Sequence, residues 1–108
     1  MTVVASPRDA REASEILASS DRPFLIDFFA TWCGPCQVLA PALEQYSSEH
    51  PEVGVMKVDV DRCPAMAQEY GVRAVPTLVV FRNGRLLARR TGALSSQALA
   101  QFVAQSIG

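Results

Sequence analysis

Residues 24–36 read FLIDFFATWCGPC, an apolar run that one aspartate interrupts and two cysteines follow. A short, continuous apolar run is typical of a strand buried on both faces, as at the centre of a parallel sheet. In open sheets of this kind, sites form where the chain leaves the carboxyl end of a central strand. The stretch therefore predicts a central strand with Cys33 and Cys36 placed beside its end.

The rest of the chain alternates strands and helices. Asn83-Gly84 between two apolar runs predicts a hairpin, because both residues tolerate positive φ, so this part of the sheet must be antiparallel. Ser6 is expected to cap the first helix, with Asp9 as its capping-box acid, and Ser95 to cap the last. The predicted order is strand 3–4, helix 7–19, strand 24–30, a helix from CGPC to about 49, strand 53–60, helix 64–71, strands 77–81 and 86–90, and a helix ending near Ile107.

Composition favours an ordinary globular protein. The chain has 108 residues, 49% of them hydrophobic, and a formal net charge of -1, which predicts one domain over residues 1–108 with no attraction to nucleic acid. The N-terminal residues lack the pattern of a signal peptide, and no apolar run approaches the roughly 18 residues of a membrane span. We therefore expect a cytoplasmic protein that does not bind membranes.

In a reducing compartment, a CxxC pair is more often catalytic or metal-binding than part of a disulfide framework. If Cys33 opens a helix, its Cβ would lie roughly 5 to 6 Å from that of Cys36, close enough for a disulfide to form with small shifts. The helix N-terminus would also stabilise a thiolate at Cys33. This arrangement predicts an exposed nucleophile at Cys33 and a more enclosed resolving thiol at Cys36.

Asp27 is predicted to be a buried acid whose neutral form is favoured, so that it can exchange a proton near neutral pH. The alternative is a buried polar group with satisfied hydrogen bonds. Lys57, flanked by apolar residues, is expected to pair with Asp27, although a strand lysine that extends to water is an equally good interpretation.

Two other functions compete with redox catalysis. Cys33, Cys36, His50 and Cys63 have the number and type of ligands for a structural zinc site, but that site would give Asp27 no role. A docking module without catalysis is the other alternative, and the intact CGPC argues against it. Cys63 alone precedes Pro64 at a predicted helix start, so a reactive regulatory thiol is one interpretation, and a small, semi-buried residue is the favoured one.

The string WCGPC, with DFFA before it and KVDVD, GVRAVPT, FRNG and TGA after it, resembles the thioredoxin family across essentially the whole chain. The resemblance implies an α/β thioredoxin fold with a central five-stranded mixed sheet flanked by four helices. It also implies a monomeric protein-disulfide reductase without a metal or cofactor beyond a redox-active Cys33–Cys36 disulfide. Its partners would be disulfide-containing protein substrates and a thioredoxin reductase that draws on NADPH.

The resemblance also assigns roles to residues. Cys33 would attack, Cys36 would resolve, and Asp27 would be the buried acid. Lys57, the predicted partner of Asp27, completes the predicted catalytic set. Phe29 and Gln37 depart from the family, which usually has tryptophan and a basic residue at these positions. The residues implied to contact substrate are Trp32, Gly34, Pro35, Gly71, Val75, Pro76 (in a cis peptide) and Gly92.

Overall fold

The computed structural model describes residues 4–108. Val3, predicted to begin the first strand, lies outside this range. The strands are β1 (Val4–Ala5), β2 (Phe24–Phe29), β3 (Gly54–Asp59), β4 (Thr77–Arg82) and β5 (Arg85–Thr91). The helices are α1 (Ala10–Ala18), α2 (Gly34–Glu49), α3 (Pro64–Glu69) and α4 (Ser96–Ile107).

The strands form one sheet in the order β1-β3-β2-β4-β5. β1, β3 and β2 are parallel, whereas β4 and β5 are antiparallel to their neighbours. The predicted fold class, a five-stranded mixed sheet with four helices, is confirmed. Because β2 lies in the middle and runs antiparallel to β4, its carboxyl end meets the beginning of β4.

The apolar run of β2 is buried because helices cover both faces of the sheet. Ile26 and Phe28 pack in a cluster that includes Ala13 of α1 and Met66 of α3. Leu25 packs on the other face in a cluster with residues of α2 and α4. Successive strand residues point to opposite faces, so Asp27 and Phe29 share the face of Leu25 and lie toward α2.

The predicted start of α1 is wrong by three residues. Asp9, not Ser6, caps the helix: its backbone is extended, and its side chain accepts a hydrogen bond from the backbone N–H of Glu12. A carboxylate in this position satisfies an amide at the helix start and interacts favourably with the helix dipole. Asp9 is therefore the cap itself and not a capping-box acid inside the helix.

The predicted hairpin and the last cap are confirmed. Asn83 and Gly84 have φ values of 52° and 79°, as a tight two-residue turn requires. The Ser95 side chain accepts a hydrogen bond from the backbone N–H of Ala98 at the start of α4. Among the described residues, no helix has the length and apolar character to cross a bilayer.

Candidate active site

The two cysteines of CGPC lie at the start of α2. Cys33 is the N-cap, and Cys36 lies in the first turn. Their Cα atoms are 5.3 Å apart and their sulfurs form a disulfide. The backbone N–H of Cys36 donates to Sγ of Cys33 at 3.2 Å. A helix N-terminus with a donor directed at one sulfur favours negative charge on that sulfur.

Burial of the two sulfurs differs from the prediction. Cys33 was expected to be exposed, yet both cysteines are only 4% exposed. The cause is the segment before β4: Val75 packs on the cluster that contains both cysteines, and its carbonyl oxygen lies 3.8 Å from Sγ of Cys33. The two thiols are thus distinguished by the helix terminus and its amide and not by exposure.

The Val75 segment is held in place by its own hydrogen bonds. The Val75–Pro76 peptide bond is cis, as the resemblance implies. The hydroxyl of Thr77 donates to the carbonyl of Ala74 at 2.6 Å. The backbone N–H of Gly92 donates to the carbonyl of Pro76 at 2.9 Å. These bonds join the loop to β4 and to the end of β5, so that the backbone of Val75 faces the disulfide.

An apolar groove of about 200 Å³ lies next to this loop. Trp32 forms one wall, is 71% exposed and donates its indole N–H to the carboxylate of Asp61 at 3.1 Å. Sequence reasoning named Trp32 and Val75 but missed the other lining residues, which come from the residue after β3, from α3 and from the loop that follows α3. The lining residues are Trp32, Val60, Ala67, Val72, Arg73, Ala74 and Val75.

The glycines expected to contact substrate occupy different surroundings. Gly34 is exposed beside the disulfide, as is Pro35. Gly71 does not line the groove; it follows α3 with a φ of 72°. The guanidinium of Arg89 covers Gly71 and donates to the carbonyl of Tyr70 at 3.0 Å. Gly71 therefore supports a turn and a close contact with Arg89.

Asp27 is completely buried in the middle of β2. Neither carboxylate oxygen has a hydrogen-bond partner within residues 4–108, so no described protein group supplies the hydrogen bonds that a satisfied polar group would have. Burial raises the pKa of Asp27 to about 7, and the positive charge of Lys57 partly opposes this shift. Such a group exchanges a proton in the pH range where thiols begin to ionise.

Lys57 stands directly opposite Asp27 in the pairing of β2 with β3. Its ammonium lies over the ring of Phe29, 4.6 Å from the ring centroid. Lys57 and Phe29 line a pocket of about 210 Å³ that also reaches Cys36 and Gln37. Lys57 is therefore opposite Asp27 in the sheet and also lines a pocket with Cys36.

Comparison with known proteins identifies this arrangement. Residues 5–105 match the thioredoxin family model. The chain belongs to the thioredoxin family. Thioredoxins are disulfide oxidoreductases, and this chain has the redox cysteine pair of such an enzyme.

Individual relatives cover most of the chain. The thioredoxin of Haemophilus influenzae is 39% identical over 108 residues, which is 99% of this chain and 100% of that protein. A thioredoxin-like protein of Synechocystis sp., slr0233, is 45% identical over 89 residues, or 82% and 85% of the two chains. The X-ray structure of Fasciola hepatica thioredoxin superposes with a TM-score of 0.87 at 34% identity and covers 94% and 98% of the two chains.

The geometry of this thioredoxin-family chain separates the four candidate zinc ligands. His50 follows the last turn of α2, where it stacks on Tyr46, whereas Cys33 precedes the first turn. A helix of 16 residues is about 24 Å long, so these two side chains cannot share a metal ion. Cys63 is a buried free cysteine. No cluster of three or more potential ligands occurs among residues 4–108.

Proposed function

We propose that this protein is a thioredoxin that reduces disulfides in protein substrates through its CGPC site and is recycled by a thioredoxin reductase. The observation that carries the proposal is the hydrogen bond from the Cys36 amide to Sγ of Cys33, opposite the backbone of Val75. It supports a nucleophilic sulfur at Cys33 with a surface for substrate beside it.

In the first step, the Cys33 thiolate attacks one sulfur of a substrate disulfide. A bond forms between Cys33 and that sulfur, the substrate S–S bond breaks, and the other substrate sulfur leaves as a thiolate that takes a proton. The helix N-terminus and the Cys36 amide stabilise the thiolate before attack. The product is a mixed disulfide between Cys33 and the substrate.

In the second step, the thiol of Cys36 loses its proton and attacks Sγ of Cys33. The mixed disulfide breaks, the second substrate thiolate leaves, and the Cys33–Cys36 disulfide forms. Two electrons have then moved from the dithiol to the substrate. Asp27, which faces α2 with a pKa of about 7, is the base we assign to the Cys36 proton, because an unprotonated carboxylate is available near neutral pH.

Substrate recognition relies on the groove beside Trp32 and on the backbone of the Val75 loop. An apolar side chain next to the substrate cysteine fits the groove, while an extended substrate segment can form backbone hydrogen bonds beside Pro76. Backbone pairing reads few side chains, which supports a broad range of protein substrates. We further propose that the protein acts as a monomer in the cytoplasm, without nucleic acid, membrane or cofactor.

Reduction of insulin disulfides, driven by NADPH and a thioredoxin reductase, tests this function. We expect NADPH consumption that depends on the protein, continues over many turnovers and is lost in Cys33→Ser. Cys63→Ser is the matched control and should retain the activity. Stoichiometric insulin reduction by the prereduced protein without turnover would contradict recycling by that reductase. No reduction under either condition would instead favour a docking module without catalysis.

A further inference from the structure

The Lys57 ammonium makes a cation–π contact with the Phe29 ring near the redox centre. Lys57 is half-buried on β3, and its ammonium lies 4.6 Å from the centroid of the Phe29 ring. Aromatic rings attract cations that lie over their faces within about 6 Å of the centroid. The ring therefore provides a preferred position for an ammonium that its flexible four-carbon stem would otherwise leave free to move.

Phe29 also contacts the redox centre. It packs against the apolar cluster that contains Cys33 and Cys36. Phe29 and Lys57 line the same pocket as Cys36. Phe29 therefore contacts both the ammonium and the cysteine cluster, and it lies two residues along β2 from Asp27.

The surroundings make the position of this ammonium important for Asp27. From the sequence, the first ten residues of α2 (34–43) carry no charged side chain, and neither does any residue of α4 (Ser96–Ile107). The residue opposite Asp27 on β4 is Leu78, and the residue opposite it on β3 is Lys57. Among the described residues, Lys57 is the charged group whose field acts on the Asp27 carboxylate.

We propose that Phe29 is a positioning residue: its ring keeps the Lys57 ammonium at the pocket beside Cys36, where the positive charge acts on the Asp27 carboxylate. Without the ring, the lysine stem turns toward water, where solvent and salt screen its charge. The proposal rests on the proposed function only for the importance of Asp27 as a base. The coupling of the three side chains can be measured independently of catalysis.

NMR titration of the ¹³C-labelled Asp27 carboxyl group, in the disulfide-bonded protein so that Cys33 and Cys36 do not titrate, tests the proposal. The variants are Phe29→Leu, Lys57→Gln and the double variant. Phe29→Leu is expected to raise the titration midpoint by roughly half a pH unit when Lys57 is present, a fraction of the about 1 to 3 pH units by which a nearby opposite charge lowers a carboxyl pKa. The same substitution in the Lys57→Gln background should leave the midpoint unchanged.

Two aromatic variants keep the test informative if Phe29→Leu does not fold. Phe29→Tyr should preserve the midpoint, and Phe29→Trp, whose ring attracts cations more strongly, should lower it or leave it unchanged. An equal shift in both backgrounds would overturn the proposal, because Phe29 would then act only by excluding water. A midpoint that falls in Phe29→Leu, or does not move, would also overturn it.

The insulin assay separates this inference from the proposed function. If the wild-type protein reduces insulin but substitution of Phe29 does not change the Asp27 titration midpoint, only the positioning role is contradicted. If the midpoint responds as expected but insulin is not reduced, the positioning role is supported and the proposed function is wrong.

Discussion

The backbone N–H of Cys36 donates a hydrogen bond to Sγ of Cys33 at 3.2 Å. The inner residue of the pair thus helps to stabilise negative charge on the outer sulfur, even though both residues are equally buried. The contact stabilises only one of the two sulfurs, because Cys33 is the N-cap of α2 and Cys36 is inside the helix. We therefore expect the variants that lack Cys33 and Cys36 to be blocked at different steps of the reaction.

Cys36→Ser should attack a disulfide substrate and then stop at the mixed disulfide, because no thiol beside Cys33 remains to release it. Cys33→Ser should trap little substrate at neutral pH, since Cys36 lies inside α2 and not at its N-cap, and Cys63 is buried. Mass spectrometry of the trapped complex, before and after a reducing agent, measures both outcomes. Equal trapping by the two variants, or a trapped bond at Cys36 or Cys63, would show that the direction of attack is incorrect.

Thiol counts test the pairing itself. The sequence contains three cysteines, of which Cys33 and Cys36 are paired and Cys63 is free. The denatured and reduced protein should therefore show three thiols, and the oxidised protein only one. Alkylation followed by peptide mapping should place that one label on Cys63. A label on Cys33 or Cys36 after gentle oxidation would contradict the assigned disulfide.

Asp27 should make stability depend on pH in an unusual direction. Its pKa rises from an ordinary 3.8 to about 7 in the folded protein, so the folded state retains the proton more firmly than the unfolded state. Stability from this group is complete below about pH 4, is lost as pH rises and levels off above about pH 7. A shift of this size corresponds to a loss on the order of 4 kcal/mol.

Denaturant unfolding of the wild type and Asp27→Asn between pH 4 and 8 measures this loss. Asp27→Asn should remove most of the dependence of the unfolding free energy on pH and should be more stable than the wild type at pH 8. It should also reduce insulin more slowly near neutral pH. Asp21→Asn, at an exposed position, is the matched control and should keep the slope. An unchanged slope in Asp27→Asn would mean that another group titrates, and unchanged turnover between pH 6 and 8 would exclude Asp27 as the base.

The hydrogen bond between Trp32 and Asp61 should hold the groove wall in place. Trp32 is the one tryptophan of the chain, so its fluorescence anisotropy reports its motion. Asp61→Leu removes the acceptor and should lower the anisotropy while raising KM for peptide substrates by roughly 2- to 10-fold, the range of one ordinary hydrogen bond. Asp61→Asn retains an acceptor oxygen and should behave like the wild type. If both variants match the wild type, this bond does not order the groove.

Gly71 should tolerate alanine less well than Gly84 does. Both have positive φ, 72° and 79°, which costs an ordinary residue about 1–2 kcal/mol. A Cβ on Gly71 would also approach Nη1 of Arg89 to 2.5 Å, whereas a Cβ on Gly84 would meet nothing within 4 Å. Unfolding free energies of Gly71→Ala, Gly84→Ala and Gly71→Ala with Arg89→Ala measure the difference. Equal costs for the two single variants would show that Arg89 moves aside freely.

Most of the fold could be predicted from the sequence because its signals are local. The apolar run of β2, the Asn83-Gly84 turn and the Ser95 cap each depend on neighbouring residues. The start of α1 was predicted wrongly because Ser6 and Asp9 are both good caps, and the sequence alone does not show which one has extended backbone. The helix periodicity after that point is the same in either case.

The site was less predictable wherever it depends on segments distant in sequence. Burial of Cys33 comes from Val75, 42 residues away, and most of the groove wall comes from residues after β3 and around α3 that no signal in the sequence places beside Trp32. The contact of Lys57 with Phe29 depends on the register of β2 against β3, and several registers satisfy the same apolar pattern. The CGPC motif therefore located the reaction but not the walls around it.

The contact between Cys33 and Val75 has a consequence for how the protein is made. A ribosome releases the cysteines well before residue 75, and the loop can cover them only after β4 has paired with β2. In an incomplete chain, Cys33 and Cys36 would thus be accessible to oxidants and to other thiols. Selective chemistry therefore begins only when β4 has been synthesised and has paired with β2.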